Sequence, residues 1–358
     1  MSSRPLLLVA VLAVVFAGCD PLGAGTPPPS AVPSVGPPIT PAPTPAFVVD
    51  GEPWIVYQGG ADAASLLRLV RPDGTNDRAL IRDPMPDGAQ AHPAWSPDGS
   101  TVAFDLFVTL ETGPDRVDIW TVGADGSGPR ELARCDLPCL QLAYPAWSPD
   151  GARIALVRYE IRQDFTWGRT ALEVLDVGTG TRRVVWETDD GTTAAYTPRW
   201  SPDGRSLAFT IETYPDEVQL AVLRSSIAVA GVDGPAAGRT TVLTPPDLVA
   251  AQPDWAPGER ILFATATSSL EWATTATVGV MNADGTQRTA VTTIDDGSGA
   301  EPTWTADGRV MYVAGDIVTG QRIALVDPDA GGPEIASWSL VTPAGVQFRA
   351  HAHLRPMP

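Results

Sequence analysis

Five times along this 358-residue chain, a proline and a tryptophan two residues on lead into a tight turn and an apolar run. Three copies are near-identical. Pro93-Ala94-Trp95-Ser96-Pro97-Asp98-Gly99 precedes Thr101-Val102-Ala103-Phe104. Pro145-Ala146-Trp147-Ser148-Pro149-Asp150-Gly151 precedes Ile154-Ala155-Leu156-Val157, and Pro198-Arg199-Trp200-Ser201-Pro202-Asp203-Gly204 precedes Leu207-Ala208-Phe209. Pro253-Asp254-Trp255-Ala256-Pro257-Gly258 and Pro302-Thr303-Trp304-Thr305-Ala306-Asp307-Gly308 are looser copies. The tryptophans are 52, 53, 55 and 49 residues apart. A fixed period of this size belongs to a propeller or a solenoid.

Each copy reads as strand, turn, strand. Proline pre-sets φ in the turn, aspartate bonds back to its own backbone, and glycine accepts positive φ. The recurring tryptophan is expected to fill the space between neighbouring sheets. A third strand and a Gly-containing turn follow, as in Asp118-Ile119-Trp120-Thr121-Val122 with Ala124-Asp125-Gly126. A fourth strand follows in turn, as in Arg182-Arg183-Val184-Val185-Trp186. Four strands per repeat make a propeller blade. No segment sustains helical periodicity.

The Trp-Ser-Pro-Asp-Gly core resembles the TolB-type, WD40-like propeller repeat, over roughly residue 50 to the end. The resemblance implies an all-β, six-bladed β-propeller of four-stranded antiparallel blades. Five repeats start at the motif tryptophans, and the sixth blade is composite. Pro53–Tyr57, Leu66–Val70 and Arg78–Ile81 supply three of its strands. The fourth is either the C-terminal Phe348–Leu354 or Ala46–Val49. The C-terminal choice is favoured because it leaves no orphan strand and no open edge.

Residues 1–18 read as a lipoprotein signal peptide: Arg4, then an apolar run from Leu6 to Ala17, too short to span a bilayer. The ending Phe16-Ala17-Gly18-Cys19 resembles a bacterial lipobox, which implies a lipidated Cys19 as the mature N-terminus. A secreted chain with a chance cysteine is the rival reading. Residues 19–46, rich in proline, serine and threonine, read as a disordered tether. The propeller takes 47–358. Cys135 and Cys139 flank a proline turn and read as a local disulfide outside the reducing cytosol.

The formal charge of −18, with arginine as the only strongly basic residue type, argues against nucleic-acid binding. The TolB-like repeat also occurs in prolyl-oligopeptidase-type enzymes, beside a hydrolase domain. The chain has no Gly-x-Ser-x-Gly elbow, no phosphate loop and no dinucleotide fingerprint. The expectation is a protein that is not an enzyme: a monomeric, lipid-anchored extracytoplasmic scaffold for an envelope protein or peptide ligand. It touches the membrane through its lipid alone and needs no cofactor. The alternative is a carbohydrate-active or metal-dependent enzyme using the central channel.

Two candidate surfaces emerge. Loops between second and third strands carry Glu160, Asp164, Phe165, Trp167, Tyr214, Asp216 and Trp272. These either form a binding face, as aromatics and carboxylates on a rigid scaffold do, or pack their loops down. The second surface is a channel ring. The residue before each motif proline is His92, Tyr144, Thr197, Gln252 and Glu301, with His351 in the matching place of the C-terminal strand. Such polar walls suit a water-filled mouth, an anionic or peptide ligand, or a metal ion held by His92, His351 and Glu301.

Overall fold

In the computed structural model of the chain, the residues described are 53–60, 65–109, 115–164, 166–216, 219, 222–256, 258–266, 276–292, 299–305, 308–314, 322–328 and 348–354. The leader, Cys19, the tether, Phe165 and Trp272 lie outside them.

The described chain is nearly all strand. β1 (Ile55–Gly60), β2 (Leu66–Val70) and β3 (Arg78–Ala79) form one set. β4 (Gly88–Trp95), β5 (Thr101–Val108), β6 (Arg116–Gly123) and β7 (Arg130–Ala133) form the next. β8 (Cys139–Trp147), β9 (Arg153–Ile161), β10 (Trp167–Asp176) and β11 (Arg182–Thr188) follow. Then come β12 (Thr193–Trp200), β13 (Ser206–Thr213), β14 (Arg224–Gly231) and β15 (Thr240–Val242). The last sets are β16 (Val249–Trp255), β17 (Arg260–Ala266), β18 (Thr277–Asn282) and β19 (Thr289–Ala290), then β20 (Gly299–Trp304), β21 (Val310–Ala314) and β22 (Arg322–Val326). Each set is an up-and-down meander of antiparallel neighbours. One parallel bridge, Val117 to Gln141, links the second set to the third.

The first set takes its missing strand from the other end of the chain. β23 (Phe348–Leu354) pairs antiparallel with β1, Ile55 opposite Leu354 and Gly60 opposite Phe348. The sheet order is β23-β1-β2-β3, the C-terminal closure favoured from sequence.

The turns form as their residues dictate. Gly99 N–H donates to Ser96 O at 2.9 Å, and Ser96 Oγ donates to Asp98 Oδ1 at 2.6 Å. Ser100 N–H donates to the same carboxylate at 3.0 Å. Gly99, Gly151 and Gly204 take φ of 66°, 70° and 67°, where a Cβ would be strained. The serine hydroxyls hold Asp98, Asp150 and Asp203 below the usual carboxylate range.

The core lies between successive sets. Trp54, Val56, Leu67 and Leu69 of the first set pack on Trp95, Phe104 and Leu106 of the second. Ile119 packs on Leu142 and Leu156, with the Cys135–Cys139 disulfide (S–S 2.10 Å) in the same cluster. Leu172 and Val174 pack on Trp200 and Phe209, then Ala208 and Ile227 on Ile261 and Phe263, then Leu262 and Val278 on Val310 and Tyr312. Met311 and Ile323 return to Ile55, Tyr57 and Val70. The sequence of clusters therefore closes into a ring, with apolar burial at every joint.

The motif tryptophans are not equivalent. Trp95 and Trp200 are buried, each 6% exposed, whereas Trp147, Trp255 and Trp304 are half-buried. Trp200 Nε1–H donates to Ala146 O of the preceding set at 2.9 Å, and the Arg153 guanidinium lies 4.6 Å from its ring centroid. Arg260 stands over Trp304 in the same way at 4.9 Å. The indoles thus sit between sets, as their recurrence predicts.

Candidate functional site: a ring of left-handed residues

The inner strands β4, β8, β12, β16, β20 and β23 each contact the next, and β23 contacts β4. Each carries a break in pairing at the same place. In the five motif strands the register shifts between Ala91/Ala94, Ala143/Ala146, Tyr196/Arg199, Ala251/Asp254 and Ala300/Thr303. The motif proline, which has no N–H for the ladder and is tolerated in strands at bulges, sits at each of these five breaks, and β23 breaks at the same place with Ala352 there. The residue before the proline turns left-handed: φ is 48° at His92, 58° at Tyr144, 47° at Thr197, 55° at Gln252 and 54° at Glu301. None of these is glycine, although left-handed φ costs an L-residue roughly 1–2 kcal/mol. In a β-branched residue such as Thr197 it is a marked outlier. On β23 the break falls between Ala350 and His353, so His351 shares the register position of His92.

Ring residues of successive sets touch one another. The His92 and Tyr144 rings are 4.1 Å apart between centroids, and those of Tyr144 and Tyr196 are 5.8 Å apart. Thr197 Oγ1 and Thr210 Oγ1 share a hydrogen bond at 3.1 Å, and Gln252 N–H donates to Thr210 Oγ1 at 2.9 Å. Glu301 N–H donates to Gln252 Oε1 at 2.9 Å. Equivalent residues of radiating sheets meet only where the sheets converge, so this ring surrounds the axis. All five motif-ring residues keep partial solvent exposure.

The ring has two halves. On one, Tyr159 joins Tyr196 at 5.8 Å and Trp167 at 6.0 Å, and Tyr159 O–H donates to Ala195 O at 2.5 Å. The Tyr196 and Tyr214 hydroxyls share a hydrogen bond at 2.8 Å, and Tyr214 O–H donates to Glu212 Oε2 at 2.6 Å. On the other half, Arg199 Nε lies 3.5 Å from Asp254 Oδ1, and Trp304 N–H donates to Asp254 Oδ2 at 2.7 Å. Asp254 thereby ties β12, β16 and β20 together. Between the halves, His92 Nδ1 meets Asp105 Oδ2 at 2.8 Å.

Burial dominates the electrostatics. It pushes the phenols of Tyr144, Tyr159, Tyr196 and Tyr214 upward, so they stay neutral. Burial also raises Glu212, against the hydrogen bonds from Tyr214 and Ser225. Arg199 is pushed down by burial, and Asp254 is pushed up to about 6 by burial against the pull of Arg199.

Asp254 makes the fold pH-sensitive in a stated direction. Between its ordinary 3.8 and about 6, the folded chain holds a proton that the unfolded chain has released. This group's contribution to stability therefore falls as pH rises through that window and is fullest below it. Asp254→Asn, which keeps an acceptor for Trp304 N–H, is expected to flatten the slope of urea-unfolding free energy between about pH 4 and 6. An unchanged slope in the variant would place the titration elsewhere.

The predicted loop face fares differently. Tyr214 is buried at 4% exposure, its hydroxyl engaged inward, so it is not displayed to a partner. Trp167 is half-buried against the cluster of Tyr159, Leu172 and Phe209. Strand β9 runs to Ile161 and β10 starts at Trp167, so Glu160 and Trp167 are strand residues, and Glu160 pairs with Arg158. Asp164 and Asp216 are exposed, the first accepting from Thr166 N–H at 3.1 Å. Tyr159, Tyr196, Asp105, Glu212, Arg199 and Asp254 were missed by sequence reasoning. A charge inside an apolar run, as in Phe104-Asp105-Leu106, was the available signal. Among the described residues no group of three or more His, Cys, Asp or Glu could hold a metal ion. The His351 side chain, part of the metal candidate with His92 and Glu301, lies outside them.

A closed series of antiparallel meanders, with polar residues where the inner strands converge, defines a β-propeller, and its fold is TolB-like. TolB from Acinetobacter baumannii superposes with a TM-score of 0.60 at 15% identity, covering 86% of this chain and 68% of that one. A puromycin-hydrolyzing peptidase of Mycobacterium tuberculosis superposes with a TM-score of 0.51 at 16% identity, over 81% of this chain and 45% of that one. No family model matches the sequence. Among curated proteins, the peptidase YuxL of Bacillus subtilis is 31% identical over 119 residues, 33% of this chain and 16% of that protein. The protein Atu1656 of Agrobacterium fabrum is 25% identical over 169 residues, 45% of this chain and 48% of that protein. The chain thus matches less than half the length of these curated relatives. The expectation of a protein without enzymatic activity is corrected here. A sequence relative is named a peptidase, and the same fold occurs in a peptidase structure, so an enzymatic role stays open.

Proposed function

We propose that this chain is a six-bladed, extracytoplasmic propeller that binds a ligand or partner segment at the mouth of its channel. The observation that carries the reading is the ring of five non-glycine residues held left-handed where the inner strands converge. Backbone strain retained at equivalent positions, when glycine would relieve it, marks a place where the side chains are needed. The TolB-like fold supports a binding scaffold. The test is capture of partners from envelope extract by the intact chain, compared with Tyr144→Ala and Gln252→Ala at unchanged melting temperature. Equal capture by wild type and both variants would remove the channel from the reading.

The relative named a peptidase supports a second reading, in which the channel admits a peptide for hydrolysis. Turnover of a fluorogenic peptide mixture by the intact chain would favour it.

The leader supports membrane anchoring: Arg4, the apolar run Leu6 to Ala17, and Ala17-Gly18 before Cys19. Cys19→Ala is expected to move the protein from the membrane fraction to the soluble fraction, or to leave the leader uncleaved. Membrane association identical to wild type, with normal cleavage, would refute lipidation at Cys19.

A further inference from the structure

We infer that the channel mouth recognises a cationic group on a peptide, an ammonium or guanidinium, by carboxylates and a carbonyl set beside tyrosine rings. The inference rests on the channel-binding reading above and specifies its ligand.

The residues at the convergence are mostly acceptors. Asp105 stands behind His92, Glu212 behind Tyr214 and Tyr196, and Glu301 belongs to the ring itself. All three act on one phenol. After burial and Tyr196, the causes that raise Tyr144 are Asp105, Glu212 and Glu301, from three different sets, although burial holds Glu212 toward its neutral form. The basic group on the opposite half, Arg199, lies 3.5 Å from Asp254 and feels Glu301 as well, so the acids there outnumber it two to one. The Tyr144 and Tyr196 rings flank the same place, and aromatic faces attract cations where carboxylates alone would bind any donor.

A separate observation points to a missing donor. Gln58 is buried at 8% exposure, and its Oε1 has no hydrogen-bond partner among the described residues. Its position in the repeat is informative. Gln58 pairs with Ala350 just before the break in β23, as Asp105 pairs with Ala91 in β4 and Thr210 with Tyr196 in β12. At that register position Asp105 bonds the His92 ring, and Thr210 bonds Thr197 and Gln252. The period-two alternation of strands sends Gln58 to the same face, toward the convergence. A buried polar atom without a protein partner is a place where a water or a bound group can complete the hydrogen bond. An oxygen acceptor at the register position that carries Asp105 in the neighbouring set asks for a donor, and a cation supplies both hydrogen bonds and charge. The formal charge of −18 draws such a ligand in from a distance.

The test uses the intact chain in calorimetric titrations with capped tripeptides. Acetyl-Gly-Lys-Gly-amide and acetyl-Gly-Arg-Gly-amide present side-chain cations, and Gly-Gly-Gly-amide presents only an α-ammonium. Acetyl-Gly-Glu-Gly-amide and acetyl-Gly-Gln-Gly-amide are the controls. At least one cationic peptide is expected to bind about tenfold or more tightly than the glutamate and glutamine peptides. The preferred cationic peptide then distinguishes side-chain from N-terminal recognition. Glu301→Gln and Asp105→Asn are each expected to reduce that preference several-fold at unchanged melting temperature. Asp98→Asn, a turn carboxylate on the surface, should leave it intact. Equal binding of all peptides, or a preference lost equally in Asp98→Asn, overturns the inference. If the glutamine or glutamate peptide binds best and Tyr144→Ala abolishes that binding, the channel reading survives and the cation inference fails. If no peptide binds, the cation inference fails, while capture of partners from extract still decides the channel reading by itself.

Discussion

Removal of residues 348–358 from the chain is expected to abolish cooperative folding. Strand β23 is the edge partner of β1 and also contacts β4 and β20, so it joins the first and last sets. Ile55, Val56 and Tyr57 on β1 are fully buried at 0% exposure. Uncovering this strand forfeits roughly 1.5–3 kcal/mol for each large apolar side chain that becomes exposed. It also breaks the ladder pairs from Ile55–Leu354 to Gly60–Phe348 and leaves an open edge. Domains of this kind are stable by only about 5–15 kcal/mol, so the loss is comparable with the whole. The expected result is a chain without a sharp thermal transition in circular dichroism, or one that aggregates. A permuted chain carrying Phe348–Leu354 ahead of Pro53 is expected to recover the transition, because the same strand can enter from the other terminus. A truncated chain that melts as sharply and at the same temperature as wild type would overturn the closure.

Trp200→Ala is expected to destabilise the domain by roughly 3–5 kcal/mol, the range of aromatic-to-alanine changes in cores. Trp200 is 6% exposed and packs with Leu172, Val174 and Phe209 across two sets. Its removal leaves a cavity at that joint, strips Ala146 O of a donor, and removes the ring beneath Arg153. Trp200→Phe restores part of the packing without the donor and should fall between the two. Trp147→Ala should cost less, because Trp147 is half-buried. Urea unfolding of the three variants checks the order. A neutral Trp200→Ala would refute inter-set packing by the motif indole.

The lipid anchor, the tether and the loop residues Phe165 and Trp272 remain readings from sequence. The ring is different, because its members were named from the residue before each motif proline and the backbone then gave a reason. The inner strands bulge at the motif proline, and the residue before it takes up the extra length with positive φ at His92, Tyr144, Thr197, Gln252 and Glu301. What those residues touch was not legible. Tyr196 reads in sequence as an ordinary strand residue, and Tyr214 as a loop aromatic, yet their hydroxyls meet at 2.8 Å and continue to Glu212.

The division follows the range of the interactions. The Ser-Pro-Asp-Gly turn is held by groups within five residues of one another, so its hydrogen bonds are written in the local sequence. The repeat period likewise determines the meanders, because every buried strand must find partners. The choice of Phe348–Leu354 over Ala46–Val49 as the closing strand, favoured from sequence, is decided by the pairing of β23 with β1. The channel mouth is made of contacts between residues from different repeats, such as His92 with Tyr144 and Arg199 with Asp254. No local rule relates those pairs. The convergence of the inner strands decides which side chains face one another, and the resulting burial pushes the carboxyls of Asp254 and Glu212 upward.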